Sequence, residues 1–259
     1  MKVQIVKVYV ATKKISKITD FVAEERPLHV FLNRTHYATI FCSPSNLKEL
    51  AVGHTLSEGI IKSTQEIEQI SFRDGDVCQI KLKSTVDLER RLKLWKSFSR
   101  IIFSACGGQP VYMPRLKLPE IKSDLSVKAE IILDSVNRLN SIAEIFRKTG
   151  GVHAAALYKG NGDLVGFSED VGRHNAVDKA IGVGALQQTD FSKCFLTLSG
   201  RLSGDVVSKA AKVGLPIVAS LAAALDSGIK IATNAELTLI GFVRGGRMNI
   251  YTFPKRILS

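Results

Sequence analysis

Short apolar runs separated by polar turns occupy the first hundred residues. Valine at every second position from 6 to 10 predicts a strand over residues 3–10. Further strands are predicted at 30–41, 71–72 and 77–82, and apolar residues at helical spacing predict one helix between positions 43 and 59. These elements indicate a small N-terminal α+β domain over residues 1–100.

Strands and helices alternate in the remainder of the chain. Apolar residues every three or four positions predict one helix across residues 132–146. The elements predicted after it are strands at 152–158 and 164–167, a helix at 175–181, a strand at 195–198, a helix at 203–213, a strand at 216–219, a helix at 227–235 and strands at 237–243 and 248–252. This order predicts a three-layer α/β sandwich over residues 101–259, with parallel strands and an antiparallel hairpin.

Composition identifies a folded chain. The 259 residues are 45% hydrophobic, which suffices for one large core or two small ones without disulfide bonds. The longest apolar run, residues 217–225, is shorter than the ~20 residues that a membrane helix needs. The start of the chain also lacks the apolar region of a signal peptide. We therefore expect a cytoplasmic protein that has no membrane partner.

Positive charge is spread over the whole chain. The net charge is +12, and Arg244, Arg247, Lys255 and Arg256 follow the last acidic residue, Glu236. This excess favours anionic partners, although a basic, solvated surface is the simpler explanation. Because only 7% of the residues are aromatic and no stacking platform is evident, a nucleic-acid partner is not expected.

One of the four cysteines differs from the others in its surroundings. Cys42, Cys78 and Cys194 lie in apolar runs and are expected to be buried. Cys106 lies in the small, glycine-rich loop SACGGQP at 104–110, where a thiol would be exposed. No two cysteines have zinc-ribbon or thioredoxin spacing, so no metal site is predicted. We therefore expect a nucleophilic Cys106 whose pKa nearby arginines lower from ~8.5 toward neutrality.

Four polar clusters fall at predicted strand or helix ends, where α/β sheets bind their ligands. In chain order they contain Gly151 and His153; Glu169, Asp170, Arg173 and His174; Ser199, Gly200 and Arg201; and Phe242, Val243, Arg244, Gly245, Gly246 and Arg247. The third cluster offers backbone amides, a hydroxyl and a guanidinium, which suit a phosphate. In the fourth, an aromatic ring or an arginine plane can stack on a base. Helix caps, acids at a helix start and a solvated hairpin are the structural alternatives.

With these clusters, the chain resembles the FdhD family, the formate dehydrogenase accessory sulfurtransferases. The resemblance covers most of the chain. It rests on the motifs ELAVG at 49–53, SEGII at 57–61, the Cys106 loop, TGGVH at 149–153, EDVGRHNAVDK at 169–179, SGR at 199–201, LIGF at 239–242 and NIY at 249–251. The string at 169–179 is the most specific of these.

The resemblance implies a sulfur carrier. Family members accept sulfur from a cysteine desulfurase as a cysteine persulfide and transfer it to the metal of bis-molybdopterin guanine dinucleotide, which is a bound substrate rather than an intrinsic cofactor. The sulfurated cofactor then enters formate dehydrogenase. The implied fold is a cytidine-deaminase-like core with the smaller N-terminal domain, and the implied assembly is a homodimer. The persulfide position corresponds to Cys106 and the cofactor-binding stretch to residues 242–247.

One departure from the family leaves an alternative open. Many members have a second cysteine in the loop, where this chain has Gln109. A single thiolate is sufficient for persulfide relay, but a chaperone that binds the cofactor without transferring sulfur is a second hypothesis. A zinc deaminase is disfavoured, because the strand that begins at His153 lacks the glutamate of a His-x-Glu motif.

Overall fold

A computed structural model describes residues 1–93, 100–102 and 119–259. The strands are β1 (Lys2–Tyr9), β2 (Lys14–Phe21), β3 (Arg26–Leu32), β4 (Thr35–Cys42), β5 (Ile67–Arg73), β6 (Val77–Leu82), β7 (Arg100–Ile102), β8 (Val127–Lys128), β9 (His153–Lys159), β10 (Leu164–Asp170), β11 (Cys194–Leu198), β12 (Ile217–Ser220), β13 (Thr238–Arg244), β14 (Arg247–Ile250) and β15 (Ile257–Leu258). The helices are α1 (Leu47–Ser57), α2 (Leu88–Lys93), α3 (Ala129–Ile142), α4 (Glu144–Thr149), α5 (Arg173–Leu186), α6 (Gly204–Lys212) and α7 (Asp226–Asn234).

A six-stranded mixed sheet forms the larger core. Its strand order is β10-β9-β11-β12-β13-β14, with β11, β12 and β13 parallel and the other pairs antiparallel. Side chains alternate between its faces, as the strand period requires. Ala154, Ala156 and Tyr158 of β9 pack with α3, whereas Ala155 and Leu157 pack with α5 and α6. Helices therefore cover both faces, and the predicted mixed α/β fold is confirmed.

A second sheet lies in the N-terminal part of the chain. Its order is β5-β6-β3-β4-β7, and α1 covers one face with the buried residues Leu50, Ala51 and Val52. The opposite side of α1 packs along α5, which belongs to the larger core. The boundary predicted near residue 100 stays a prediction, since residues 94–99 and 103–118 lie outside the described residues.

Two glycines allow α1 and α5 to cross closely. A Cβ atom added to Gly53 would lie 1.7 Å from the Asp178 carbonyl oxygen, and one added to Gly182 would lie 1.9 Å from the Glu49 carbonyl oxygen. Since real Cβ atoms do not approach backbone this closely, alanine at either position would force the two helices apart. The helix crossing thus depends on a glycine from each helix.

Buried charged groups also connect the two sheets. Asp170 and Lys179 form an ion pair of 2.6 Å with no exposed surface, and Ser43, just after β4, donates its N–H to Asp170 and accepts from Lys179. In a second cluster, Asp178 accepts from His54 and Ser57 of α1 and from Lys209 of α6. These partners compensate the cost of burying the charges.

Several predicted elements differ from the structure in their boundaries. The strand predicted at 30–41 is a hairpin of β3 and β4, because Asn33 and Arg34 both have positive φ and form a tight turn. Strand β2 was not predicted. The helix predicted at 132–146 is divided into α3 and α4 at Ala143, and the helix predicted after Ser43 begins only at Leu47.

Among the described residues, no helix is long and apolar enough to cross a membrane.

We expect Gly53→Ala and Gly182→Ala to lower the free energy of unfolding by at least the ~1–3 kcal/mol typical of overpacking, because the clashing atoms are backbone. Urea denaturation of the full chain measures this change. Lys48→Ala, at an exposed position on α1, is the control and should leave the midpoint unchanged. Glycine variants with wild-type midpoints would show that the helices can separate without cost.

Candidate functional site

Strand directions bring the predicted clusters to one edge of the six-stranded sheet. The carboxyl ends of β11, β12 and β13 share this edge because these strands are parallel. Strand β9 begins and β10 ends at the same edge, because β9 is antiparallel to both of its neighbours. All four clusters therefore meet along one line, which spans roughly 19 Å from β10 to β13 at ~4.8 Å per strand. We call this line the carboxyl edge.

His153 and Ser199 form the centre of the carboxyl edge. Ser199 Oγ accepts a hydrogen bond from the Ala154 N–H at 3.0 Å and lies 3.4 Å from His153 Nδ1. Burial lowers the pKa of His153 below its usual value, and the charges of Arg173, His174 and Arg201 lower it further, against the opposing charge of Asp170. The imidazole is therefore held neutral, with cations around it.

The start of α5 adds cationic groups beside this centre. Arg173 is the first residue of the helix, and its aliphatic part packs over Gly200, where an added Cβ would lie 3.0 Å from Arg173 Cβ. His174 Nε2 pairs with Asp205 Oδ2 at 2.5 Å, which joins α5 to the first turn of α6. Although burial opposes it, the hydrogen bond and charge of His174 lower the pKa of Asp205, so this carboxylate is ionised.

The two acids of the second cluster have structural partners. Glu169 is buried, and its oxygens accept the N–H groups of Ile145 and Phe146 at 3.0 and 2.7 Å, which satisfies the first turn of α4. Asp170 accepts from the Gly172 N–H in addition to its contacts with Lys179 and Ser43. Their predicted contact with a cofactor stays a prediction. The structure places both carboxylates in the interior, behind the cations.

A glycine turn forms the far end of the carboxyl edge. Gly245 and Gly246 both have positive φ and connect β13 to β14, so Arg244 and Arg247 pair directly across the hairpin and are exposed. Phe242 lies in a bulge of β13 with φ of 53°, and the Arg244 guanidinium carbon is 5.3 Å from the centroid of its ring. One face of Phe242 is thus stacked on Arg244, and Arg247 is directed to solvent. Val243 is buried in the core below the turn.

Gly151 lies just before His153. It follows Gly150, whose left-handed conformation ends α4, and its N–H donates to Thr149 Oγ1 at 3.1 Å. The helix-cap interpretation is therefore correct for Gly150, while Gly151 is exposed at the carboxyl edge.

Sequence reasoning missed a segment between the third and fourth clusters. Residues 221–225 follow β12 and consist of three alanines between two leucines. Ala222 accepts from the Phe242 N–H at 3.0 Å, and Ala223 accepts from the Leu202 N–H at 2.9 Å. The signal that would have identified this segment is topological, because it follows a strand parallel to β11 and β13.

Cys106 lies outside the described residues, but the other cysteines are described. Cys42, Cys78 and Cys194 are free and buried, as predicted. Burial raises the pKa of Cys42 and Cys78 to about 12 and that of Cys194 to about 11. None of these three thiols forms a reactive thiolate near neutral pH.

The arrangement suits an extended anionic ligand. Three arginines, at positions 173, 201 and 247, lie at intervals along the carboxyl edge with a serine hydroxyl and a neutral imidazole between them. Guanidinium groups bind phosphate oxygens through paired hydrogen bonds. Arginines repeated along one line are the arrangement expected for a ligand that carries several phosphates rather than for a single small anion.

Comparisons with known proteins place the chain in a family. The FdhD/NarQ family model matches residues 23–258. The sulfur carrier protein FdhD of Sulfolobus acidocaldarius is 38% identical over 255 residues, which cover 94% of this chain and 97% of the relative. The protein of the same name from Staphylococcus aureus MRSA252 is 33% identical, covering 95% and 92%. The crystal structure of a candidate formate dehydrogenase accessory protein from Desulfotalea psychrophila matches 100% of this chain and 99% of that chain, with a TM-score of 0.81 and 25% identity.

We expect His153 to titrate below pH 6.5, and Arg173→Gln to move its pKa upward, because this substitution removes a nearby positive charge. Two-dimensional NMR of the histidine side chains measures the titration, with His153→Gln assigning the resonance. Arg244→Gln is the control, since Arg244 does not contribute to the shift. A titration midpoint of His153 that is unchanged by Arg173→Gln would contradict the described placement of Arg173 beside the imidazole.

Proposed function

Because the chain belongs to the FdhD/NarQ family, we propose that it is a sulfur carrier that serves the maturation of formate dehydrogenase. Its relatives carry the name of sulfur carriers, and the similarity extends over nearly the whole chain. The observation that carries the proposal within this chain is the convergence of all four polar clusters on the carboxyl edge. This edge would bind the substrate that receives the sulfur.

The sulfur enters through Cys106. Its thiolate attacks the terminal sulfur of a persulfide on a cysteine desulfurase, so that a new S–S bond forms as the donor's S–S bond breaks. The donor leaves as a thiolate and keeps the electron pair of the broken bond. Support for Cys106 comes from the other three cysteines, whose burial keeps them protonated.

The sulfur is then transferred to the metal of bis-molybdopterin guanine dinucleotide, the proposed substrate. A reduced metal centre supplies the electron pair of the new metal–sulfur bond and is oxidised by two electrons. The persulfide on Cys106 first loses the proton of its terminal sulfur to water, and its S–S bond breaks as the metal–sulfur bond forms. The electron pair of the broken bond returns to the cysteine as a thiolate. The carrier is then ready for another cycle, and no second cysteine at position 109 is needed.

The carboxyl edge binds the nucleotide ends of this substrate. Arg247 and Arg201 bind pyrophosphate oxygens, and Ser199 and the neutral His153 donate or accept hydrogen bonds between them. The Phe242 ring, backed by Arg244, offers a stacking surface for guanine. Arg173, packed on Gly200, adds positive charge at the centre of the edge.

We expect Cys106→Ser to abolish sulfur uptake. In the test, the protein is incubated with a cysteine desulfurase and ³⁵S-cysteine, and the label released by dithiothreitol is counted. A variant in which Cys42, Cys78 and Cys194 are all alanine is the control, and it should keep the label because these thiols are buried.

Two outcomes would contradict the sulfur-carrier proposal. Label retained by Cys106→Ser would show that another group accepts the sulfur. A wild-type protein that binds guanine nucleotide but never acquires label would favour the cofactor-binding chaperone, which the glutamine at position 109 first suggested.

We expect Arg247→Ala to weaken guanosine diphosphate binding about tenfold or more, because a hydrogen bond to a charged group contributes ~1.5–3 kcal/mol. Isothermal titration calorimetry measures the affinity. Arg138→Ala, an exposed position on α3, removes the same charge away from the carboxyl edge and should have little effect. Equal losses in both variants would indicate a general charge effect rather than a site at the hairpin.

A further inference from the structure

The first two strands form a hairpin that is separate from both larger sheets. Strands β1 and β2 pair with each other along their full length, from Lys2 with Phe21 to Tyr9 with Lys14, and neither pairs with another described strand. Within the described part of the chain, each of the two strands therefore leaves one backbone edge without a strand partner. The hairpin also precedes residue 23, where the match to the family model begins.

The two faces of this hairpin differ in burial. Val3, Ile5, Ser16 and Ile18 point to one side and are half-buried. Strand β2 contacts α4, which indicates that this side faces the body of the protein. The outer face carries Val6 and Val8 of β1 with Ile15 of β2, and Val10 follows just beyond the strand. We call these four residues the outer apolar patch.

The outer apolar patch is strongly exposed. The exposed fractions are 59% for Val6, 58% for Val8, 68% for Ile15 and 87% for Val10. Val8 and Ile15 are direct cross-strand partners, so their side chains form one continuous surface. Contiguous apolar surface of this kind on a folded chain marks an interaction site more often than chance exposure does.

Lysines give the hairpin positive charge, and Lys2 and Lys17 lie on the same face as the patch, whereas Lys7 and Lys14 lie on the opposite face. Residues 1–21 contain five lysines, at positions 2, 7, 13, 14 and 17, and one acid, Asp20, so this segment carries +4 of the net charge of +12. A partner that covers the patch must therefore present carboxylates at its rim. A second copy docked through the same patch would instead bring two hairpins of like charge together.

The open edges of β1 and β2 argue against a lipid surface as the partner. Hydrocarbon cannot satisfy unpaired backbone N–H and C=O groups, whereas a protein can pair with them or leave them hydrated. The hairpin is also close to the proposed substrate site, because Ala23, just after β2, lies 3.1 Å from where a Cβ on Gly151 would be. A protein docked on the hairpin would therefore stand beside the carboxyl edge.

We propose that the outer apolar patch docks the protein that receives the sulfurated cofactor, through an apolar surface ringed by aspartate and glutamate. This proposal rests on the proposed function, in which the recipient is formate dehydrogenase. Docking at the hairpin positions the recipient next to Gly151 and His153, from which the cofactor is transferred. The hairpin thus acts as a recognition element outside the sulfur-transfer machinery.

The test uses the full-length protein and cofactor-free formate dehydrogenase from the same organism. We expect the triple variant Val6→Thr, Val8→Thr and Ile15→Thr to bind this enzyme at least tenfold more weakly in biolayer interferometry, since threonine keeps the β-branched shape but removes apolar surface. The matched control is Phe72→Thr, Leu164→Thr and Leu258→Thr, at apolar positions exposed by 37–47% elsewhere. Both variants should bind guanosine diphosphate like the wild type.

A charge variant tests the acidic rim of the recipient. Lys2→Glu with Lys17→Glu, both on the outer face, should weaken binding to the enzyme at 50 mM salt, because the carboxylates opposite them are then repelled. The affinity of this variant should also depend less on salt concentration than that of the wild type. The proposal is wrong if the triple variant Val6→Thr, Val8→Thr and Ile15→Thr binds formate dehydrogenase with the affinity of the wild type. If that variant instead loses binding to phosphatidylglycerol vesicles, or changes from dimer to monomer in sedimentation, the patch belongs to a membrane or to a second copy.

The docking proposal and the sulfur-carrier proposal can be tested independently of each other. Cys106→Ser should bind the enzyme with wild-type affinity, because Cys106 does not belong to the patch. Loss of label uptake in that variant together with intact docking supports both proposals. A wild type that takes up labelled sulfur but does not bind the enzyme overturns the docking proposal and leaves the sulfur carrier in place.

Discussion

The buried ion pair between Asp170 and Lys179 connects the fold to the site. Both side chains are without exposed surface, so each charge must find its partners inside the protein. They find them in each other, in Ser43 after β4, and in Asn175, whose amide also donates to the Phe41 carbonyl. The pair therefore joins the end of the smaller sheet to the start of α5. Residues 171–174, which place cations at the carboxyl edge, lie between the two members of the pair.

In the segment at 169–179, the first acidic side chains are buried and the basic side chains at the helix start face the carboxyl edge. The buried carboxylates of Glu169 and Asp170 accept backbone N–H groups, which compensates the cost of burying their charge. Arg173 and His174 follow at the helix start and reach the carboxyl edge. The segment thus keeps its two leading acids inside and places the Arg173 guanidinium at the edge. This separation of charges, rather than the net charge of the chain, distinguishes the carboxyl edge.

Much of the site could be predicted from sequence because it depends on chain topology. Alternating strands and helices fix which strand ends share an edge, and the polar clusters after β10 and β11 therefore had to meet. The tight turn at Gly245 and Gly246 could also be predicted from the sequence, since a turn with positive φ at two successive positions favours glycine. The segment at 221–225 was missed because its small apolar residues give no chemical signal, although its place after β12 puts it at the same edge.

The remaining differences arise from tertiary contacts that have no local signature. The helical pattern at 132–146 is continuous in sequence, but Glu169 from β10 supplies a carboxylate to a new helix start after Ala143. Ser43 resembles a helix cap, yet its N–H, hydroxyl and carbonyl are all used by residues 170–179. In both cases a partner more than twenty residues away in the chain decided the local structure.

The glycines at the crossing of α1 and α5 also determine where the site lies within the molecule. Because Gly53 and Gly182 let the helix backbones touch, His54 and Ser57 of α1 come within hydrogen-bond distance of Asp178 on α5. Asp178 also binds Lys209 of α6, one helical turn beyond the Asp205 that pairs with His174. The Asp178–Lys209 ion pair and the His174–Asp205 contact thus hold α5 against α6, the first deep in the core and the second at the carboxyl edge. The side chains at the start of α5 are therefore positioned by the same close packing that joins the two sheets.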